Sequence, residues 1–104
     1  MSDKGGIVLK RRDDGSFALT GSLSFKNVTA LRSQGIDLFS EADTLVVDLS
    51  DVQRSDSAGV ALLVEWMRFA RSQDKTISYL NIPQQMLAIV RASSLDSILP
   101  LSRG

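Results

Sequence analysis

The residues best suited to chemistry in this sequence are the consecutive Asp56-Ser57-Ala58-Gly59. They follow a polar segment and open a stretch with helical spacing. A helix N-terminus has unpaired N–H groups and a partial positive charge, so it can hold a phosphate. Ser57 places a hydroxyl at that position, where the small Ala58 and Gly59 leave it accessible. Asp56 lies beside the hydroxyl and is placed to orient it, so the pattern predicts a phosphorylatable serine.

The same four residues also have a purely structural interpretation. Asp and Ser are favoured helix N-caps, and Gly59 permits close packing of a helix on a strand. The residue types alone favour this interpretation, and both remain open at this point.

Catalysis by Ser57 has little support in the sequence. There is no His and no Cys, which removes a His general base, a Cys nucleophile and zinc sites of the Cys/His type. Neither of the glycine-rich nucleotide-binding motifs is present. The acidic residues between positions 37 and 56 do not have the spacing of a calcium loop. We therefore expect no enzymatic activity, no cofactor and no metal site.

Length and charge narrow the class of protein further. The 104 residues contain 12 Lys+Arg and 12 Asp+Glu, so the formal net charge is zero. This balance argues against nucleic-acid binding and against a polybasic membrane surface. The longest apolar run, Val60–Val64, is far shorter than the roughly 20 residues that span a membrane. We expect one domain over residues 1–104, located in the cytoplasm, without a signal peptide or direct membrane insertion.

Hydrophobic spacing predicts the elements that position these residues. A β-hairpin is predicted over 7–12 and 17–20, with a turn at 13–16 and Gly21 ending its second strand. From about Ser24 the spacing becomes helical, and either Ser24 or Asn27 is placed to cap that helix.

The second half of the chain alternates strands and helices. Its predicted elements are a strand at 44–49 buried on both faces, a polar loop at 50–56, a helix at 57–73, a strand at 76–80, a helix from Pro83 to 92 and an apolar tail at 94–101 that forms a turn or an edge strand. Connections of this length make the later strands parallel. The predicted fold is a two-layer α/β domain, with a mixed sheet of four to five strands and helices mainly on one face.

The helix predicted at 57–73 has an unusually wide apolar arc. Its main face contains Val60, Leu63, Val64, Met67 and Ala70, and Leu62, Trp66 and Phe69 extend it. A surface helix needs an arc of about 100°. Either a neighbouring helix or a protein partner must cover the excess. Burial within the fold is favoured, and an exposed Trp66 would instead be an interface anchor.

Three segments resemble a known family. The stretch Leu19–Leu23 after the hairpin, then Val46–Val52, then Asp56–Leu63 are similar to a STAS domain, and the resemblance covers essentially the whole chain. That family includes anti-sigma factor antagonists and cytoplasmic domains of sulfate transporters. The resemblance implies a STAS-like two-layer α/β fold.

Among free-standing members, the chain is most similar to the small STAS subunit of the Mla phospholipid-transport ABC system of Gram-negative bacteria. Its short length, the helix Val60–Arg71 and the ending Ile98–Pro100 support this likeness. The likeness implies a non-enzymatic accessory subunit that binds the ATPase of the transporter and is peripheral to the inner membrane through it. Its role would be in intermembrane phospholipid trafficking and outer-membrane lipid asymmetry.

The resemblance also implies roles for individual residues. Ser57 matches the phosphorylatable residue of the family, and Asp56, Ala58 and Gly59 complete its motif. The partner-binding loop and helix are implied to include Arg54, Ser55, Val60, Leu62 and Trp66.

The alternative function is an anti-sigma factor antagonist, switched when a kinase partner phosphorylates Ser57. Many family members have Gly-Glu-Leu-Asp after the second strand, where this chain has Gly21-Ser-Leu-Ser24. The loss of both acids weakens the inference of phosphorylation, whereas a partner-binding role does not need them.

Overall fold

A computed structural model describes residues 7–102 of the chain. Its elements are β1 (Ile7–Arg11), β2 (Phe17–Leu23), α1 (Val28–Phe39), β3 (Thr44–Asp48), β4 (Val52–Ser55), α2 (Ser57–Ser72), β5 (Thr76–Leu80), α3 (Gln84–Ala92) and β6 (Leu101–Ser102). The α/β class is confirmed, and so are the hairpin, the long helix, the strand at 76–80 and the helix after Pro83. The apolar tail ends in the edge strand β6, which brings the sheet of the described residues to six strands.

The sheet has the order β1-β2-β3-β5-β6, and β4 also pairs with β2. The β1–β2 hairpin is antiparallel, and all other pairings are parallel. Gly15 has a φ of 90°, which fits the tight turn predicted between the two hairpin strands. Because β3 and β4 lie one after the other along β2, the second strand of the hairpin supports both.

Two predictions around β2 are wrong. Gly21 does not end the strand, which continues to Leu23 because β4 pairs with its second half. The register shifts between Gly21 and Ser22, and Gly21 accommodates this bulge with a φ of 120°. The polar segment 50–56 is likewise not a simple loop, since Val52–Ser55 forms β4.

The helical spacing begins at about Ser24, but α1 begins at Val28, directly after Asn27, one of the two residues predicted to cap it. Asn27 occupies the N-cap position, but its side chain makes no capping bond. Its Oδ1 accepts a hydrogen bond from the Ser24 N–H at 3.1 Å, and its Nδ2 donates to the Ser22 carbonyl at 2.9 Å. These bonds hold the turn between β2 and α1 in place of capping the helix.

The helices cover one face of the sheet. Leu45 and Val47 of β3 are fully buried, whereas Val46 between them is half-buried and Thr44 is exposed. The prediction that this strand is buried on both faces is therefore wrong. No helix in residues 7–102 covers the second face of this strand. A run of apolar residues therefore did not mean that both faces are buried.

An aromatic cluster joins α1 and α2 above the hairpin. Phe39 packs edge-on against Phe17 and Trp66, with ring centroids 5.0 and 5.1 Å apart. Trp66 is fully buried, and its Nε1 donates to the Arg32 carbonyl at 3.4 Å. Gly35 allows this approach, because a Cβ there would lie 2.6 Å from the indole ring.

The carboxylate of Asp48 connects the end of β3 to two other segments. Its Oδ2 accepts a hydrogen bond from Arg12 at 2.9 Å. Its Oδ1 accepts bonds from the Ser50 N–H at 2.9 Å and from Asn81 at 3.1 Å. Desolvation raises the pKa of Asp48, but the hydrogen bonds outweigh it and lower the pKa from its ordinary 3.8 to about 2.

Replacing Gly35 by Ala should destabilise the protein by about 1–2 kcal/mol. Overpacking against the trapped Trp66 ring costs about 1–3 kcal/mol, more than the gain of up to about 1 kcal/mol in helix propensity. Urea denaturation followed by tryptophan fluorescence measures the change. Ser33→Ala, an exposed substitution in the same helix, is the control and should not lower stability. A Gly35→Ala variant as stable as the wild type would contradict the packing argument.

Asp48→Asn should lower the free energy of unfolding at pH 7 by about 1–2 kcal/mol. Because folding depresses this pKa, the stabilisation is present above about pH 4 and is lost as the pH falls towards about 2. Urea titrations across this range should show the variant and the wild type converging at low pH. Asp37→Asn, which changes an exposed carboxylate of α1, should have little effect at any pH. A difference that stays constant with pH would refute the ionic contribution.

Candidate functional site

Asp56 is the N-cap of α2, and its carboxylate accepts three backbone N–H groups. Oδ1 accepts from Ala58 at 2.9 Å and from Gly59 at 3.2 Å, which pairs two of the N–H groups that a helix start leaves free. Oδ2 accepts from the Phe25 N–H at 3.2 Å, across a separation of 31 residues. One side chain thus joins the start of α2 to the turn between β2 and α1.

Ser57 is the first residue of α2, and it is exposed. Its environment differs from the expected one in two respects. The oxygens of Asp56 bond to backbone N–H groups and do not orient the Ser57 hydroxyl. The N–H groups of Ala58 and Gly59 are already paired with Asp56, so they are not free to hold a phosphate. A phosphate on Ser57 would therefore lie near a carboxylate.

Gly59 allows the first turn of α2 to touch the sheet. A Cβ at this position would overlap the Ser55 hydroxyl and lie 2.8 Å from the Cβ of Leu23. Ser55 and Leu23 are both buried, so neither can move aside without disturbing the core. Of the two roles considered for Gly59, close packing of helix on strand is the one with a direct contact in the structure.

Strand β4 directly precedes Asp56, and its two residues from the predicted partner-binding loop differ in exposure. Arg54 is exposed, whereas Ser55 is only 4% exposed. The Gln85 side chain from α3 pairs with both backbone groups of Ser55. Its Oε1 accepts from the Ser55 N–H at 2.9 Å, and its Nε2 donates to the Ser55 carbonyl at 2.7 Å. Sequence reasoning missed Gln85, because no local signal shows that a helix residue will pair with a strand.

Three residues assigned to the partner-binding helix lie in the core. Val60 is 2% exposed, Leu62 is 3% exposed and Trp66 is fully buried. The assignment of Val60 and Trp66 to a contact surface is therefore wrong, because α1 and the sheet cover the wide apolar arc of α2. Leu62 is also buried, but its edge still lines a groove between α1 and α2. The favoured interpretation of that arc, burial within the fold, is confirmed for Trp66, which packs on α1.

The structure instead exposes Phe25, a residue that sequence reasoning did not single out. Its side chain is 71% exposed, compared with 47% for Val8 and 49% for Ile98. Phe25 follows β2 directly, and its backbone is bonded to Asp56. The helical spacing that begins at about Ser24 includes Phe25, but the helix itself starts three residues later, at Val28. No periodic signal marks it as a surface residue.

A shallow apolar groove of about 160 Å³ runs between the first halves of α1 and α2. It is lined by Val28, Thr29, Arg32, Ala58, Ala61, Leu62 and Glu65. Arg32 and Glu65 form an ion pair at 3.5 Å across it. Ala58, which lines the groove, directly follows Ser57 in α2.

No group of three or more Asp or Glu side chains in residues 7–102 is close enough to hold a metal ion. None of the helices in that range combines the length and the apolar character needed to cross a membrane.

The mixed sheet, its one-sided helical layer and the capped start of α2 define a STAS domain. A family model described as "Mlab, STAS domain" matches residues 8–100, so the chain belongs to this family. No curated protein sequence gives a significant match.

Solved structures show the same fold. Unphosphorylated SpoIIAA, an anti-sigma factor antagonist, superposes with a TM-score of 0.74 and 16% identity, over 95% of this chain and 88% of that one. Phosphorylated SpoIIAA from Bacillus gives a TM-score of 0.69 and 18% identity, over 95% and 91%. An anti-sigma factor antagonist from Mycobacterium paratuberculosis has a TM-score of 0.69 and 19% identity, over 92% of this chain and 83% of that one. At these identities the similarity establishes the fold alone.

Asp56→Ala should lower the free energy of unfolding by about 1–2 kcal/mol, because it removes the acceptor of the two capping N–H groups. Ser57→Ala should change it by less than about 0.5 kcal/mol, since Ser57 is exposed and does not occupy the N-cap position. Chemical denaturation followed by circular dichroism measures both variants. The opposite ranking would assign the capping role to Ser57.

Proposed function

We propose that this chain is a non-enzymatic accessory subunit that binds the ATPase of an ABC transporter for intermembrane phospholipid trafficking. One observation carries the proposal. The start of α2 combines an exposed Ser57 with a groove that begins at the adjacent Ala58, and Asp56 bonds this helix start to the backbone of the exposed Phe25. The description of the matching family model, which names Mlab, supports the choice of partner.

This surface suits a protein partner better than a small molecule. Pockets for small ligands usually enclose about 300–1,000 Å³, whereas the groove holds about 160 Å³. Its lining residues include neither a nucleophile activated by a base nor a paired set of acids. An aromatic side chain that projects into solvent is instead typical of protein contact sites.

The proposal includes a location and a physiological role. The chain acts as one STAS domain over residues 1–104, in the cytoplasm and peripheral to the inner membrane through the ATPase. By supporting the assembly or activity of the transporter, it helps to maintain the lipid asymmetry of the outer membrane. No cofactor and no nucleic acid take part.

The test is affinity capture of the ATPase subunit of a phospholipid-transport ABC system by the purified chain. Wild-type protein should capture the ATPase and change its rate of ATP hydrolysis. Ser57→Glu should weaken binding by at least about tenfold, because it brings an unpaired charge into the contact surface. Ser57→Ala should bind within about threefold of the wild type.

Ser97→Glu is the matched control, because Ser97 is exposed and lies in the segment after α3. Circular dichroism should show that all three variants are folded. Full binding by Ser57→Glu would place the interface elsewhere. Failure of the wild-type chain to capture the ATPase would overturn the proposed function.

The second candidate function is anti-sigma factor antagonism, switched by phosphorylation of Ser57. The exposure of Ser57 at the start of α2 favours it, because a kinase needs access to the hydroxyl. The fold shared with SpoIIAA agrees with this function. Incubation with a kinase encoded near this gene should then add one phosphate, detected by intact mass, and Ser57→Ala should abolish the addition.

A further inference from the structure

We infer that Phe25 anchors the protein partner and that Asp56 positions it for binding. This inference rests on the proposed function, because it identifies the side chain through which the ATPase is held. It also assigns a second role to Asp56 beyond capping α2. The partner must offer an apolar pocket that is bordered by carboxylates.

The exposure of Phe25 requires an explanation. At 71% it is more exposed than any other large apolar side chain in residues 7–102. Phe is usually buried, and an aromatic ring offers a large apolar area to a partner. The N–H of Phe25 bonds to Asp56, the residue before Ser57, so the backbone of Phe25 lies beside the start of α2. The ring therefore belongs to the surface that the partner would cover.

The backbone of Phe25 is fixed on both sides although its side chain is free. Before it, the Ser24 N–H donates to Asn27 Oδ1 at 3.1 Å. After it, the Lys26 N–H donates to the Ser24 hydroxyl at 3.3 Å. Its own N–H donates to Asp56 Oδ2 at 3.2 Å. A side chain mounted on such a rigid turn loses less conformational entropy on binding, which favours its use as an anchor.

Positive charges flank this anchor. Lys26 follows Phe25 and is exposed, and Arg54 is exposed two residues before Asp56. The salt bridges found among residues 7–102 include neither of these two cations. The Asp56 carboxylate near Phe25 is taken up by three backbone N–H groups, so the exposed Lys26 and Arg54 are the charges that a partner would meet on these two segments. They complement a pocket whose border carries carboxylates, and such charges chiefly raise the rate of association.

Asp56→Asn separates positioning from capping. Asn caps helices about as well as Asp, so its Oδ1 can still accept from the N–H groups of Ala58 and Gly59. Its amide nitrogen then faces the Phe25 N–H, which has lost its acceptor. The variant should keep α2 intact and release the turn that carries Phe25.

Amide hydrogen exchange, measured by NMR on the free protein, tests the positioning. In Asp56→Asn, the Phe25 amide should exchange at least about fivefold faster than in the wild type, while the amides of Ala58 and Gly59 stay protected. Unchanged exchange at Phe25 would show that Asp56 does not position it. This measurement needs no partner, so its result does not depend on the proposed function.

Capture of the same ATPase tests the anchor. Phe25→Ala should weaken binding by about 30-fold or more, Phe25→Leu by less, and Asp56→Asn by at least about fivefold. Val8→Ala is the matched control, because Val8 is 47% exposed and lies on β1. Lys26→Glu with Arg54→Glu should slow association by about tenfold at low salt and less at high salt.

The outcomes separate the two proposals. If the wild type binds the ATPase and Phe25→Ala binds equally well, the anchor is refuted and the proposed function stands. An association rate that the double charge reversal leaves unchanged would refute the carboxylate-bordered pocket. If the wild type captures no ATPase, the proposed function and the anchor fall together, and the positioning role of Asp56 is decided by the exchange measurement.

Discussion

The site depends on the three hydrogen bonds that the Asp56 carboxylate accepts. Two of them cap α2, and the third holds the turn before α1. Because these bonds pair the N–H groups of Ala58 and Gly59, those two groups are not free to bind an anion at the start of α2. The same carboxylate brings the backbone of Phe25 next to the start of α2, although Phe25 and Asp56 are 31 residues apart in sequence.

Close contact between α2 and the sheet makes this arrangement possible. Gly59 lets the helix touch Ser55 and Leu23. The side chain of Gln85, from α3, pairs with the backbone of Ser55. Strand β4 is therefore held between β2 and α3. Asp56 follows β4 directly, so it is placed where its carboxylate bonds to the start of α2 and to the turn before α1. A substitution at Gly59 or Gln85 would act on the site through this support.

Hydrophobic spacing predicted much of the fold because the main elements have strong local periodicity. The 16-residue helix α2, the strand at 76–80 and the helix after Pro83 were placed almost to the residue. The short strand β4 was missed, since its four residues are polar enough to read as a loop. Its pairing with β2 is a long-range interaction, which a local pattern cannot show.

The sequence by itself determined the α/β class, the position of Asp56-Ser57-Ala58-Gly59 at a helix start and the absence of His and Cys. These depend on residue types and on spacing along the chain. Only the tertiary structure decided that Trp66 is buried, that Phe25 is exposed and that Asp56 links two segments. Exposure and long-range hydrogen bonds depend on which elements pack together, and that is settled by contacts between residues distant in sequence.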